Sequence, residues 1–167
     1  LHGKKAAEEI TDELLDAQRV AKEQGKIRFA GVSLHAGHEV VVPAAIQKKM
    51  DVVLITYNFT MGDRNDALMK SLHDAGVGVV AMKVMAGGRG PEAVALREKL
   101  AAQGGMLSAL KWTLRNPFVH TTIPSTTDMA QLDENLRAMA EPWTPADEKK
   151  LVARLEHPYI VPLYDYW

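Results

Sequence analysis

The 167 residues contain no cysteine, which excludes disulfides and thiolate-bound metals and is compatible with a reducing cytoplasm, the location expected for this chain. Charge of one sign is also missing. Lys and Arg number 20 against 21 Asp and Glu, a net charge of -1, and this leaves no electrostatic footprint for nucleic acid or an acidic membrane. No run of about 20 apolar residues occurs, so no membrane-spanning helix is expected. No secretory leader is visible, and a first residue of Leu1 leaves the natural start open. The dinucleotide fingerprint Gly-x-Gly-x-x-Gly follows no apolar run, and the nearest glycines, Gly87-Gly88-Arg89-Gly90, have the wrong spacing. What remains is ordinary soluble composition, 47% hydrophobic and 25% charged, in a chain long enough for one domain with a real core.

The most informative stretch is Thr121 to Asn135. Val119 to Ile123 reads as a short buried strand, which Pro124 ends because it has no N–H for a ladder. Ser125, Thr126 and Thr127 follow, then Asp128 with Gln131 three residues on, the signature of a helix start. Met129, Leu132, Leu136 and Met139 recur at helical spacing behind it. A strand, a polar corner and a helix start with free N–H groups make a seat for a phosphate or another anion. The simpler reading is that Thr126 to Asp128 only cap the helix, worth about 1 kcal/mol.

The same plan repeats upstream. Residues 4–24 read as a helix with Ile10, Leu14, Ala17 and Ala21 on one stripe, stopped by Gly25. Strands are expected at Ile27 to Ser33, Val52 to Tyr57 and Val77 to Lys83, and helices at His38 to Met50, Asp63 to Ala75, 91–103 and 106–115. Pro43 must lie in a first turn or make a kink. The nearly continuous apolar run at 52–57 is that of a parallel strand covered on both faces. Four βα units in a row fit an open doubly wound sheet or part of an eight-stranded barrel, and the missing glycine fingerprint favours the barrel. His35 and His38 read as solvated loop residues rather than metal ligands, and no metal site is expected. Thr144-Pro145-Ala146-Asp147 is a helix start with proline at the first helical position.

Four stretches, in order, resemble aldo-keto reductases. Gly25-Lys26-Ile27-Arg28-Phe29-Ala30-Gly31-Val32-Ser33 with Asp51 to Asn58 is similar to their fifth and sixth strands. Val79 to Gly88 is similar to the seventh strand and its corner, Ala109 to Pro117 to the helix before the eighth, and Ile123 to Leu136 to the eighth strand with its cofactor helix. The resemblance implies a (β/α)8 TIM-barrel α/β fold of which strands 5–8 are present, spanning residues 1–156, with a C-terminal tail at 157–167 that could fold over the barrel mouth. It implies reduction of aldehydes or ketones by hydride from NADP, or from NAD, without a metal. It also implies that the family's Asp, Tyr and Lys belong to a first half that has no counterpart here, so activity of this chain alone is in doubt.

Carried over position by position, the resemblance names His2 as the histidine that orients the carbonyl; an ordinary exposed terminal histidine is the competing reading. Ser33 would reach the nicotinamide carboxamide, while Leu34 and Leu54 stand where the family has Asn and a side-chain amide. Met82 takes the place of the aromatic platform, although Leu54 and Met82 also read simply as core, and so does Tyr57. Lys83 and Gly87 would approach the pyrophosphate. Ser125, Thr126, Gln131, Glu134 and Asn135 would hold the adenosine end, with Arg137 the nearest cation. Expected partners are a small carbonyl substrate and either the missing first half or a second copy, with neither nucleic acid nor membrane. The alternative function is a non-catalytic half-barrel that self-associates or binds a nucleotide without chemistry.

Overall fold

A computed structural model describes residues 1–86, 91–102 and 104–152, apart from the side chains at 62–64, 92–93 and 152. Its centre is a four-stranded sheet: β1 Gly31–Leu34, β2 Val52–Thr56, β3 Gly78–Met82 and β4 Thr121–Thr122, side by side in chain order. All three pairings are parallel, and the register sets Ser33, Leu54, Val80 and Thr121 in one row. An open doubly wound sheet reverses its order at a switch point, whereas these strands run 1-2-3-4 as consecutive barrel units do. Segment 1–4 extends the sheet beyond β1, for Ser33 N–H donates to Leu1 O at 2.9 Å and Lys4 N–H to Ser33 O at 3.0 Å.

The two faces of the sheet differ. Val32, Leu34, Val53, Ile55, Val79 and Ala81 are buried under α2 His38–Gln47, α3 Asp66–Asp74 and α5 Gly105–Leu114. On the other face Val52, Leu54, Thr56 and Val80 are only half-buried, so the apolar run of β2 is not covered on both sides as its composition predicts. Val52 packs between two glycines: a Cβ on Gly31 would sit 2.5 Å from Val52 O, and one on Gly78 3.1 Å from Val52 Cγ2. Small and large side chains thus alternate across Gly31, Val52 and Gly78.

Several elements begin or end elsewhere than their periodicity suggests. The helix expected over 4–24 is α1 Asp12–Glu23. Its late start has two causes, capture of segment 1–4 by the sheet and a 3-10 turn at Ala7–Glu9. Thr11 caps α1, accepting from Leu14 N–H; of the expected stripe Ile10, just before the helix, is buried, whereas no residue within α1 is. Gly25 closes it with φ 68° and Lys26 N–H reaching Ala21 O at 2.9 Å, the predicted left-handed stop. Pro43 lies inside α2 beyond the first turn. It is tolerated because Pro43 and Glu39, whose carbonyl it cannot serve, are both exposed to water. The first part of the 63–75 helix is a 3-10 turn, Phe59–Asn65. Of the strand at 119–123, Val119 is buried but only two residues pair, and Ile123 is 52% exposed on the wall of a cleft.

After β3 come α4 Pro91–Ala102 and α5, and after β4 come α6 Met129–Ala140 and α7 Pro145–Val152. A buried polar knot fastens α7 to α5. Asp147 takes Lys111 Nζ at 2.7 Å, Ser108 Oγ at 2.8 Å, and Thr144 N–H and Oγ1 at 2.9 and 2.7 Å. Burial pushes the Asp147 pKa up, but these donors outweigh it and hold the carboxyl well below the carboxylate range. Along α6 only Ala138 is buried, and the apolar stripe faces outward, with Met129 69% and Met139 79% exposed.

Candidate cofactor cleft

The carboxyl ends of β3 and β4 open onto a cleft of about 940 Å³. Ser125, Gln131, Glu134 and Asn135 line it from the β4–α6 corner, and Lys83 faces them from the end of β3. Five sequence-predicted residues thus converge on one concavity. Thr126 stands behind the wall, its hydroxyl accepting from Asn135 Nδ2 at 2.9 Å. Met82 is buried beneath, 7% exposed, and Leu54 is half-buried, so the core reading fits Met82 better than Leu54. Gly87 and the tail at 157–167 lie outside the described residues.

At the head of α6 both readings of the corner hold in part. Gln131 N–H donates to Asp128 Oδ1 at 2.9 Å, and Gln131 Oε1 accepts from Thr127 N–H at 3.0 Å, a reciprocal cap. Glu134 Oε1 accepts from Leu107 N–H at 3.2 Å, joining α6 to the first turn of α5. Glu134 also lines the cleft. At the end of β3, Lys83 on the opposite wall and buried Ala86 both take left-handed backbone, φ 55° and 54°. Such conformations are costly for residues with a Cβ and gather where a corner must aim its groups. Buried Asn58 holds this corner in place, donating to Lys83 O at 3.0 Å and accepting from Thr60 N–H at 3.0 Å.

Among the cleft residues not predicted as cofactor contacts are Lys5 and Arg97, and also His35, which was read as a solvated loop residue. Lys5 arrives with the segment that extends the sheet, and Arg97 with α4. Together with Lys83 they set three cations against the carboxylate of Glu134. Arg137, the nearest cation along the chain, instead pairs with Glu141 at 2.7 Å on the exposed surface.

Beyond the cleft, at the end of β1, exposed His2 lies with Nδ1 2.8 Å from Ser33 Oγ, which also accepts from Gly3 N–H at 2.8 Å. The His35 ring meets His2 edge-on at 5.6 Å between centroids. Burial, then the charges of Lys83, His2 and Lys5, lower the His35 pKa, and its Nδ1 is sealed from solvent with no hydrogen-bond partner. His38 is not a solvated loop residue either: it starts α2, is 7% exposed and has Asn65 Nδ2 3.2 Å from its Nδ1. Among the described residues no group of three metal-ligand side chains occurs. Tyr57 is core: buried, its hydroxyl donates to Asp66 Oδ1 at 2.6 Å and accepts from Asn116 Nδ2 at 2.8 Å. Burial first, then Asp66, raises its pKa further above the phenol range, which suits a structural hydroxyl and not a proton donor.

The sequence matches the Aldo/keto reductase family over residues 3–156. The chain belongs to that family. Its fold is similar to that of aldo-keto reductase AKR11C1 from Bacillus halodurans. Against the holo form the TM-score is 0.65 at 17% identity, over 99% of this chain and 60% of that one. Against the apo form the values are 0.64 and 22%, over 92% and 59%. The chain therefore spans about three-fifths of the length of the solved structures it resembles. Comparison with curated proteins gives no match. Aldo-keto reductases are oxidoreductases that use nicotinamide cofactors, and the parallel sheet described above is of their kind. Among the described residues, no helix is long and apolar enough to cross a membrane.

Proposed function

We propose that this chain is the cofactor-binding, carboxyl half of an aldo-keto reductase barrel, acting in NAD(P)H-dependent reduction of aldehydes or ketones. One observation carries the reading: Lys83 and the Ser125–Asn135 corner, far apart in sequence, line a single cleft at the carboxyl ends of parallel strands. Its volume, about 940 Å³, lies within the range of small-molecule and cofactor pockets. The donor set fits the group as well. Lys5, Lys83 and Arg97 offer charge to phosphates, Ser125 offers a hydroxyl, Thr126 supports Asn135 from behind, and Gln131, Glu134 and Asn135 offer donors and acceptors to an adenine edge. Ser33 and Met82 are assigned to the nicotinamide end, and Gly87 to the pyrophosphate, on the family pattern alone. When bound, the nicotinamide supplies the hydride. His2 orients the carbonyl, and the proton donor of the family set comes from a first half supplied by another segment. The three cations on the cleft suit the phosphates of NADP, with NAD the other candidate.

Titration with NADPH while following nicotinamide fluorescence tests this reading. Saturable binding, weakened when Arg97→Ala is introduced, is the expected result. No response at about 1 mM cofactor, an affinity near 4 kcal/mol, overturns it.

A second reading has its own support. The outward stripe on α6 and the half-covered sheet face are apolar surfaces that monomers seldom leave bare. They suit a half-barrel that meets a complementary half or a second copy, with or without chemistry. Sedimentation of the chain alone separates the cases. A dimer that fails to bind NADPH supports the non-catalytic half-barrel.

A further inference from the structure

The end of β1 holds a group whose hydrogen-bond arithmetic closes in only one way. Ser33 is 5% exposed, so its hydroxyl cannot turn to water for a partner. A serine hydroxyl has one proton to give and two lone pairs to receive with. One lone pair takes Gly3 N–H at 2.8 Å. The remaining contact of the hydroxyl is His2 Nδ1, also at 2.8 Å. If Nδ1 carried the imidazole proton, it would donate to Oγ and the serine proton would be buried with no acceptor. Buried polar hydrogens are rarely left so. If Nδ1 is bare, every bond is made: Gly3 N–H to Oγ, and Oγ–H to Nδ1.

We infer that Ser33 is a positioning residue that fixes His2 as the tautomer carrying its proton on Nε2. The inference rests on the reading of His2 as the residue that orients the carbonyl, and it names the atom that does so. A carbonyl oxygen needs a donor, and Nε2–H is one in the neutral ring, so no protonation of His2 is required. The backbone of Ser33 adds rigidity: its N–H and C=O bond Leu1 and Lys4 on either side of His2, at 2.9 and 3.0 Å.

Imidazole tautomers are read directly from two-bond 1H–15N spectra of the labelled full chain at pH 8.5, well above the ordinary histidine pKa of about 6.5. His2→Gln assigns the His2 signals among the six histidines. The expected pattern has Nδ1 unprotonated and Nε2 protonated in the wild type. In Ser33→Ala the two shifts should move toward a mixture, while Ser33→Thr, which keeps a hydroxyl, should retain the wild-type pattern. A wild-type His2 protonated on Nδ1 overturns the inference, whatever the variants do. An unchanged pattern in Ser33→Ala overturns it too, with the remaining histidine signals showing that the variant is folded. NADPH binding is scored separately: its loss strikes the proposed function, whereas a wrong tautomer with binding intact strikes only Ser33.

Discussion

Two polar regions of this molecule use similar residues to opposite ends. In the α5–α7 knot, Asp147, Lys111, Ser108 and Thr144 satisfy one another in the dark, with the Lys111 and Asp147 side chains 5% and 6% exposed. Around the cleft, Ser125, Thr126, Gln131, Glu134 and Asn135 make short local bonds at the surface and keep lone pairs and protons to spare. Density of polar groups therefore does not mark the site. Spare hydrogen-bonding capacity beside a concavity does, and the two regions should respond oppositely to mutation.

The largest expected effect is at the knot. Asp147→Ala leaves Lys111 buried without its 2.7 Å partner and should cost about 3–5 kcal/mol in chemical denaturation, with NADPH affinity of the folded protein unchanged. Because the folded-state pKa of Asp147 is depressed, its stabilisation is present at neutral pH and is lost as pH falls below about 4. The variant should lose that part of the acid sensitivity. Tyr57→Phe comes next. It removes the hydroxyl's bonds to Asp66 and Asn116, at 2.6 and 2.8 Å, leaving those two their mutual 3.2 Å bond, and should cost about 1–3 kcal/mol in stability, again without touching the cofactor.

The cleft should behave the other way. Lys83→Ala or Arg97→Ala should each weaken NADPH binding by roughly tenfold, about 1.4 kcal/mol, while moving the denaturation midpoint little. Raising the salt concentration should shrink that difference. Asp128→Ala is the smallest and falls between the regions. It removes the 2.9 Å cap on Gln131 N–H and should cost about 1 kcal/mol, with a smaller loss of affinity as the head of α6 frays.

Local chemistry in the sequence foretold the local parts of the fold. Gly25, Pro124, Asp128 with Gln131, and Thr144 with Asp147 all stand where their backbone roles require. Parallel strand order followed from βα spacing. What escaped was set by non-local pairing. The segment 1–4 joins the sheet through residues 30 positions away, so periodicity alone placed Lys4 and the residues after it in a helix. The stripe on α6 was legible as a stripe, but which way it faces depends on neighbours that no short window contains. The same holds for the site: the Ser125–Asn135 corner could be read in one stretch, whereas Lys5, His35 and Arg97 come to it from three other elements.

Amide hydrogen exchange of the chain with and without saturating NADPH tests the central claim most directly. Added protection should appear at Lys83–Ala86 and Ser125–Asn135 together, the two walls of one cleft. Protection confined to another face, such as the groove between Trp143 and Arg115, or none at either wall, would contradict the cofactor seat.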